Sequence, residues 1–452
     1  MTLLNELSAE VCQRARMSRD PRFDGRFFVA VKTTGIFCRP ICPANLPKEE
    51  NVEYFSSQAL AVSAGYRPCL RCRPESAPHS WAWKGAETTF LRALTLIEQG
   101  ELDGSLETLA SRLGISDRYL RQLFQRHLGM PPKQYAQIQQ LMFAKQLLHT
   151  SQISITEVAY ASGFQSTRRF NDAFQKLFRL TPTQVRRERA ALPSRNHLSL
   201  AFRGPFDWAH MLDFYRLRAI EGMELVDEQS YQRHFVLGEG TGWFKASMAQ
   251  SHLDIEFEME RLSDLRHLVA RLRRMFDLDA DLISIEAHLE QVAPGLVWRT
   301  GIRIPGVWNA WEAGVRAVLG QQVSVKAAIG QLNLLVSTLA ASEGSTRYFP
   351  TPEQVQMSDL SFLRMPERRK ETLKRLADYV RLHPMDSPMA WLSLSGIGPW
   401  TVDYAQLRGE SRSHCFLTGD LIVKKALAKF PQLTAESVAP WGSYATFHCW
   451  SH

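Results

Sequence analysis

The sequence predicts a multidomain α+β protein of four segments: a small four-cysteine domain, an all-α tandem helix-turn-helix domain, a mixed α+β domain and an all-α C-terminal domain. Three observations carry the prediction. Four of the seven cysteines sit in two tight pairs, CRPIC at 38–42 and CLRC at 69–72. The stretch RYLRQLFQRHLGMPPKQY at 118–135 recurs as RRFNDAFQKLFRLTPTQV at 168–185. Helical runs punctuated by glycine and proline close the chain, with LSGIGPWTVDYAQLRG at 394–409 the clearest turn between two of them. A length of 452 residues suits three or four domains at roughly 100–200 residues each.

The elements follow in order. Residues 1–76 are rich in turn signals and hold both cysteine pairs. The polar stretch PESAPHSWAWKG (74–85) reads as a linker, and residues 86–190 read as almost wholly helical. RERAALPSRNHLSL (187–200) mixes charge, proline and serine and marks a second boundary. Residues 198–308 read as mixed, because HFVLGEGTGWFKASMAQSHLDIEFEM alternates in places and carries glycine turns, as strands do. Residues 309–452 return to helices.

Composition bounds the function. Hydrophobic content of 45% and charge of 22% describe a soluble globular protein with several cores. The opening MTLLNELSAEVCQRARM lacks the apolar run of a signal peptide. No stretch approaches the ~18–20 apolar residues of a membrane span, so the expected compartment is the cytoplasm. An odd, low cysteine count argues against a disulfide framework. The net charge of +8 is uneven: residues 1–197 hold 27 Lys+Arg against 17 Asp+Glu, and the remainder 27 against 29. A basic N-terminal half points to a polyanion, with nucleic acid foremost.

Each copy of the repeat reads as helix, short turn, second helix. Gly114 and Gly163 stand in the turns, where a left-handed or a close-packed backbone position is expected. Ser116 and Ser166 can cap the second helices. Arg118 and Arg121, then Arg168 and Arg169, lie near the N-termini of those helices, where a recognition helix meets bases and phosphates. The plainer alternative is two solvated basic faces in a helical bundle. Repeat, turn chemistry and arginine placement together favour DNA binding.

Cys38-x3-Cys42 and Cys69-x2-Cys72 have the spacing of two metal knuckles. Four soft thiolates in a tetrahedral set favour one zinc ion. Such a site can replace the core that a domain of about 75 residues struggles to build. Cys12, Cys415 and Cys449 stand alone and are assigned to packing. A closed four-thiolate site is structural by default, and spacing alone does not overturn that.

FVAVKTTGIFCRPICPA (28–44) and GYRPCLRCRP (65–74) resemble the N-terminal domain of the Ada family of adaptive-response regulators. The resemblance implies that Cys38 is a zinc-bound thiolate that takes a methyl group from a DNA methylphosphotriester, with Cys42, Cys69 and Cys72 completing the ligand set. Zinc keeps the thiol deprotonated, and the thiolate is the nucleophile. Four thiolates on a 2+ ion form a doubly negative cluster that repels phosphate. A triester carries no charge, and methylating Cys38 lowers the repulsion, which makes a switch. Thr34, Arg67, Arg71 and Arg73 are candidate backbone contacts. The helical segment is similar to AraC-type regulators. The Pro-Cys-His-Arg motif of the family's second methyltransferase domain does not occur, so direct repair of O-alkylated guanine is not expected.

The C-terminal half resembles helix-hairpin-helix DNA glycosylases of the AlkA, 3-methyladenine, type. PFDWAHMLDFYRLRAIEGMELV (205–226) is similar to the AlkA N-terminal domain, and WNAWEAGVRAVLGQQVSVKAA (308–328) and HCFLTGDLIVKKAL (414–427) flank the glycine hairpin. Gly396 and Gly398 would let backbone amides approach a phosphate. The resemblance places the catalytic aspartate at Asp420, where an N-cap is the plainer role and both can coexist. It places Phe214, Trp400, Tyr404 and Trp450 around the flipped base, although core packing would explain any one of them. Gln322 matches the wedge position, where AlkA has leucine. Tyr404, Ala405 and Gln406 stand where bifunctional relatives carry a lysine nucleophile, so a monofunctional glycosylase is expected. The chain stops two residues past Trp450, which predicts a fraying end for that side chain.

The resulting expectation is an alkylation-response fusion. Its partners would be alkylated and promoter duplex DNA and, for an activator, RNA polymerase; no membrane and no small-molecule cofactor are expected. One rival is a methylation-activated transcription factor with an inactive glycosylase fold. Others are a repair enzyme merely delivered by its DNA-binding parts, and a zinc-stapled DNA-binding protein without chemistry.

Overall fold

The computed structural model describes residues 7–20, 23–69, 71–72, 74, 81–98, 100, 102, 105–187, 196–339, 342–343 and 346–451. The chain divides into two compact units, 1–139 and 140–452. Among the described residues no helix is long and apolar enough to cross a membrane.

The first unit opens with the helix Ala9–Ser18, whose cap Ser8 accepts from the Val11 amide. A four-stranded sheet follows in the order Val52–Phe55, Phe28–Val31, Ile36–Cys38, Arg67–Pro68. Strand alternation splits its apolar side chains between two faces. Phe28 and Ala30 join Phe37 and Ala61 on one, while Val29 joins Cys12, Ala15 and Phe27 on the other. Neither cluster is large, so apolar burial alone gives this sheet little stability. The helix Trp81–Glu98 starts inside the stretch expected to be a linker. It buries Phe90, Ala93 and Ile97 on one face against Leu109, Leu120 and Phe124 of the first helix-turn-helix.

Both helix-turn-helix copies form as the repeat predicts. Leu106–Arg112 leads through Gly114, at φ +69°, to Asp117–Leu128. Ile155–Ala161 leads through Gly163, at φ +87°, to Thr167–Phe178. Ser116 accepts from the Tyr119 amide and Ser166 from the Arg169 amide, each at 3.2 Å. The second helices both end on a left-handed residue, Gly129 in one copy and Arg179 in the other.

In the second unit a five-stranded antiparallel sheet runs in the order His197–Ala201, His252–Met259, Gly240–Met248, Ser230–Leu237, Glu224–Val226. Its buried face shares one apolar cluster with Leu147, Val158, Phe170 and Phe174, so the second helix-turn-helix packs into the same core as the sheet. A helical body follows, with the helices Ala310–Gly320, Pro399–Glu410, Leu421–Lys429 and Gly442–Ser451 nearest the cavity described below. A buried ion network joins sheet to helices: Arg233 pairs with Glu224 at 2.8 Å and Glu312 at 2.5 Å, and Arg316 with Glu312 at 2.9 Å and Glu224 at 3.1 Å. Such a network fixes register more than it adds stability.

Candidate metal centre and candidate active site

Sheet pairing assembles the cysteine quartet. Ile36–Cys38 pairs in parallel with Arg67–Pro68, and the Cys69 amide donates to Phe37 O at 3.0 Å, which sets the second knuckle beside the first. The ligand sulfurs of Cys38, Cys42, Cys69 and Cys72 all lie within 4.8 Å of one another. Ligands about 2.3 Å from a tetrahedral zinc stand about 3.8 Å apart, so the four fit that ion. Cys42 is buried, whereas Cys38, Cys69 and Cys72 keep partial exposure. A hydrogen bond with Cys38 pulls the Cys72 thiol down to about 6, and the same bond, then burial, pushes Cys38 up. The Arg39 amide donates to Cys72 Sγ at 3.4 Å. The Arg39 guanidinium pairs with the buried Asp24 and donates to Cys72 O at 3.3 Å, bracing the loop between the first two ligands. Asp24 and Arg39 escaped the sequence reading, since an isolated aspartate fifteen positions upstream carries no pattern.

Thr34 sits exposed at the tip of the hairpin, and the exposed Arg67 donates its amide to the adjacent Gly35 O at 2.8 Å, so the two share one edge. Arg71 is exposed, and Arg73 lies outside the described residues. Arg118, Arg121, Arg168 and Arg169 are all exposed on their helices, although Arg121 is held by Asp117 at 2.7 Å.

The second candidate site is a cavity of about 540 Å³ that takes residues from both sides of position 308. The helix Trp208–Arg216 supplies Phe214, Pro399–Glu410 supplies Trp400 and Tyr404, and Gly442–Ser451 supplies Trp450. Its size and mixed lining suit a flat, ring-shaped ligand. Trp400 and Tyr404, one turn apart, stack at 5.3 Å and 28°. Phe214 and Trp450 lie nearly parallel at 6.3 Å and 15°.

Asp420 faces this cavity as the N-cap of Leu421–Lys429. Its Oδ1 accepts from the amides of Ile422 (2.9 Å) and Val423 (3.3 Å) and from Trp450 Nε1 (3.1 Å). Oδ2 accepts nothing from the described residues. One oxygen is therefore locked by three donors, while the other has no hydrogen-bond partner among the described residues. The fraying expected of Trp450 does not occur. Its helix runs to Ser451, whose Oγ lies 2.9 Å from His210 Nε2, and the indole is fastened to Asp420.

The hairpin holds Gly396 at φ +94° and Gly398 as the cap of the helix Pro399–Glu410. Neither amide donates to a described residue, and nothing within 4 Å would meet a Cβ at Gly398, so both N–H groups stay approachable. At Gly396 a Cβ would come 2.1 Å from Thr372 Oγ1. Gly396→Ala is expected to lower stability by about 1–3 kcal/mol through strain and displaced packing, read as a lower Tm together with weaker binding to duplex DNA. Gln322 is exposed, with a left-handed backbone at φ +56°. Its neighbour Gln321 donates from Nε2 to Gly396 O and Thr401 Oγ1, both at 3.2 Å, and so ties the wedge loop to the hairpin. Gln321 was not anticipated. Arg408 was also missed: it donates to Tyr404 Oη at 2.9 Å, and its place in the 400, 404, 408 spacing of one helix face was the available signal.

Three family models match the chain: the metal binding domain of Ada over residues 11–75, a helix-turn-helix domain over 109–188 and the AlkA N-terminal domain over 197–309. A Mycobacterium tuberculosis protein named "Probable bifunctional transcriptional activator/DNA repair enzyme AlkA" is 34% identical, covering 98% of this chain and 96% of that one. The DNA-3-methyladenine glycosylase 2 of Escherichia coli is 33% identical over 56% of this chain and 96% of its own. The bifunctional transcriptional activator/DNA repair enzyme Ada of Escherichia coli is 35% identical over 38% of this chain and 47% of its own.

Proposed function

The chain belongs to the family of bifunctional AlkA proteins, transcriptional activators that are also DNA repair enzymes, and from that premise we propose that it senses methylated DNA through Cys38 and excises alkylated purines at Asp420. The observation that carries the enzymatic half is the arrangement of Asp420, which lines an aromatic cavity with Oδ1 held by three donors and Oδ2 without a partner among the described residues. A formed cavity supports an active enzyme over a silent fold.

In the sensor, zinc bound by Cys38, Cys42, Cys69 and Cys72 keeps the sulfurs as thiolates at neutral pH. Cys38 Sγ attacks the methyl carbon of a phosphotriester. The C–S bond forms, the C–O bond breaks, and its electron pair restores the phosphodiester anion. Asp24 and Arg39 hold the ligand loop in place, while Thr34 and Arg67 would touch the DNA backbone, as would Arg71. Loss of negative charge at the cluster then favours DNA. The paired recognition helices convert that gain into promoter binding, with RNA polymerase the partner that activation implies.

In the glycosylase, Gly396 and Gly398 offer amides to a phosphate beside the lesion, and Gln322 fills the space of the displaced base. The base enters between Trp400 and Tyr404 on one side and Phe214 and Trp450 on the other. As the glycosidic bond breaks, the free Oδ2 of Asp420 faces the positive charge growing on the sugar, where a desolvated carboxylate acts most strongly. Water then bonds to C1′. No lysine replaces it as nucleophile at 404–406, which supports hydrolysis without strand cleavage. The compartment that fits is the cytoplasm.

Replacing Arg168 and Arg169 together by Ala tests the regulator half. The slope of log affinity against log salt for duplex DNA, read by fluorescence anisotropy, is expected to fall by about two. An unchanged slope would remove these residues from the DNA interface.

A further inference from the structure

The internal repeat lets the two recognition helices be compared residue by residue. Asp117–Leu128 and Thr167–Phe178 have the same length, each is capped by a serine, and Leu120 and Phe124 are buried in one where Phe170 and Phe174 are buried in the other. At two solvent-accessible positions one turn apart they differ together. The first helix has Asp117 and Arg121; fifty residues on, the second has Thr167 and Asn171. In the first, Arg121 Nη1 stands 2.7 Å from Asp117 Oδ2, and the arginine side chain stays 52% exposed. Asn171 is exposed too.

The plain reading is an i,i+4 ion pair that steadies a surface helix. Two observations go beyond it. The second helix reaches the same length without the pair, so the fold does not require it. The pair also lies near the N-terminus of a recognition helix, the part that meets DNA. A carboxylate there repels phosphate, so Asp117 weakens a helix that only grips the backbone. Base readout supplies the missing role. Arginine presents two parallel N–H donors to guanine O6 and N7, and asparagine matches adenine N6 and N7. A carboxylate on one nitrogen of the guanidinium restricts its swing and leaves other donors for a base. We propose that the two recognition helices read different bases from equivalent positions: Arg121, held by Asp117, reads guanine, and Asn171 reads adenine. Asp117 is a positioning residue and touches no base. The proposal rests on the regulator reading given above.

The test is selection of bound sequences from a randomised duplex library by the full, zinc-loaded chain, before and after exposure to DNA bearing methylphosphotriesters. Wild type is expected to enrich a guanine at one position and an adenine at another. Arg121→Ala should lower the guanine preference by about ten- to a hundred-fold and leave the adenine preference in place; Asn171→Ala should do the reverse. Asp117→Asn should weaken the guanine preference several-fold while affinity for random-sequence duplex rises, since a negative charge is lost. A merely structural role for Asp117 would lower both. Importing the second copy's residues, Asp117→Thr with Arg121→Asn, should turn the guanine preference into one for adenine. If Arg121→Ala weakens binding to all sequences alike, Arg121 is a phosphate contact and the proposal is overturned. If wild type binds duplex but enriches no sequence, the proposal falls while DNA binding stands. If wild type binds no duplex, both fall.

Discussion

Cys38→Ala is expected to abolish methyl acceptance outright, with no methyl appearing on Cys42, Cys69 or Cys72. The measurement is mass spectrometry of the cysteine peptides after incubation with DNA carrying methylphosphotriesters. The expectation rests on the role proposed for Cys38; burial excludes Cys42, while Cys38, Cys69 and Cys72 are each partly accessible. Removing the metal is expected to do more. The sheet of residues 28–68 is backed by two small apolar clusters, whereas thiolate zinc sites in small peptides contribute about 10–16 kcal/mol. Chelation should therefore unfold the N-terminal domain and leave residues 140–452 folded, seen as loss of hydrogen-exchange protection confined to the strands of the first unit. Methyl transfer to Cys69 in the variant, or protection that survives chelation, would refute this assignment.

Asp420→Asn is expected to slow release of methylated purines by roughly a thousand-fold with little change in Tm. The two halves of that expectation come from the two oxygens. Asparagine caps a helix as well as aspartate does, and its carbonyl can keep the bonds from Ile422, Val423 and Trp450 that now go to Oδ1. The charge facing the cavity is lost. Asp420→Ala removes cap and charge together, so it should also cost about 1 kcal/mol of stability. A variant that loses Tm and activity in proportion would mean that Asp420 is only a cap.

Much of this architecture was legible because local chemistry and tertiary role coincide. The helix-turn-helix pair was readable from a repeat whose glycines and serines each do one local job, and Gly114, Gly163, Ser116 and Ser166 all do it. The cysteine quartet was readable because metal ligands must recur at short spacing. What escaped was long-range. Asp24 reaches Arg39, and Gln321 reaches the hairpin. None of these contacts leaves a periodic trace in the chain. The start of helix Trp81–Glu98 was missed because Pro, Ser and His beside it give turn signals that its own apolar spacing outweighs. Trp450 was misjudged because position near a terminus was weighed without its hydrogen bond to Asp420.

The central claim is that one chain both registers methylation and removes it. It is tested most directly by incubating the full chain with a duplex that carries both methylphosphotriesters and methylated purines, then following released bases and the Cys38 peptide in the same sample. The account predicts free methylpurine at many turnovers and a single methyl on Cys38 per chain. Methylation of Cys38 with no base released would contradict it and leave a regulator carrying a silent fold; base release with Cys38 unmethylated would leave an enzyme without a sensor.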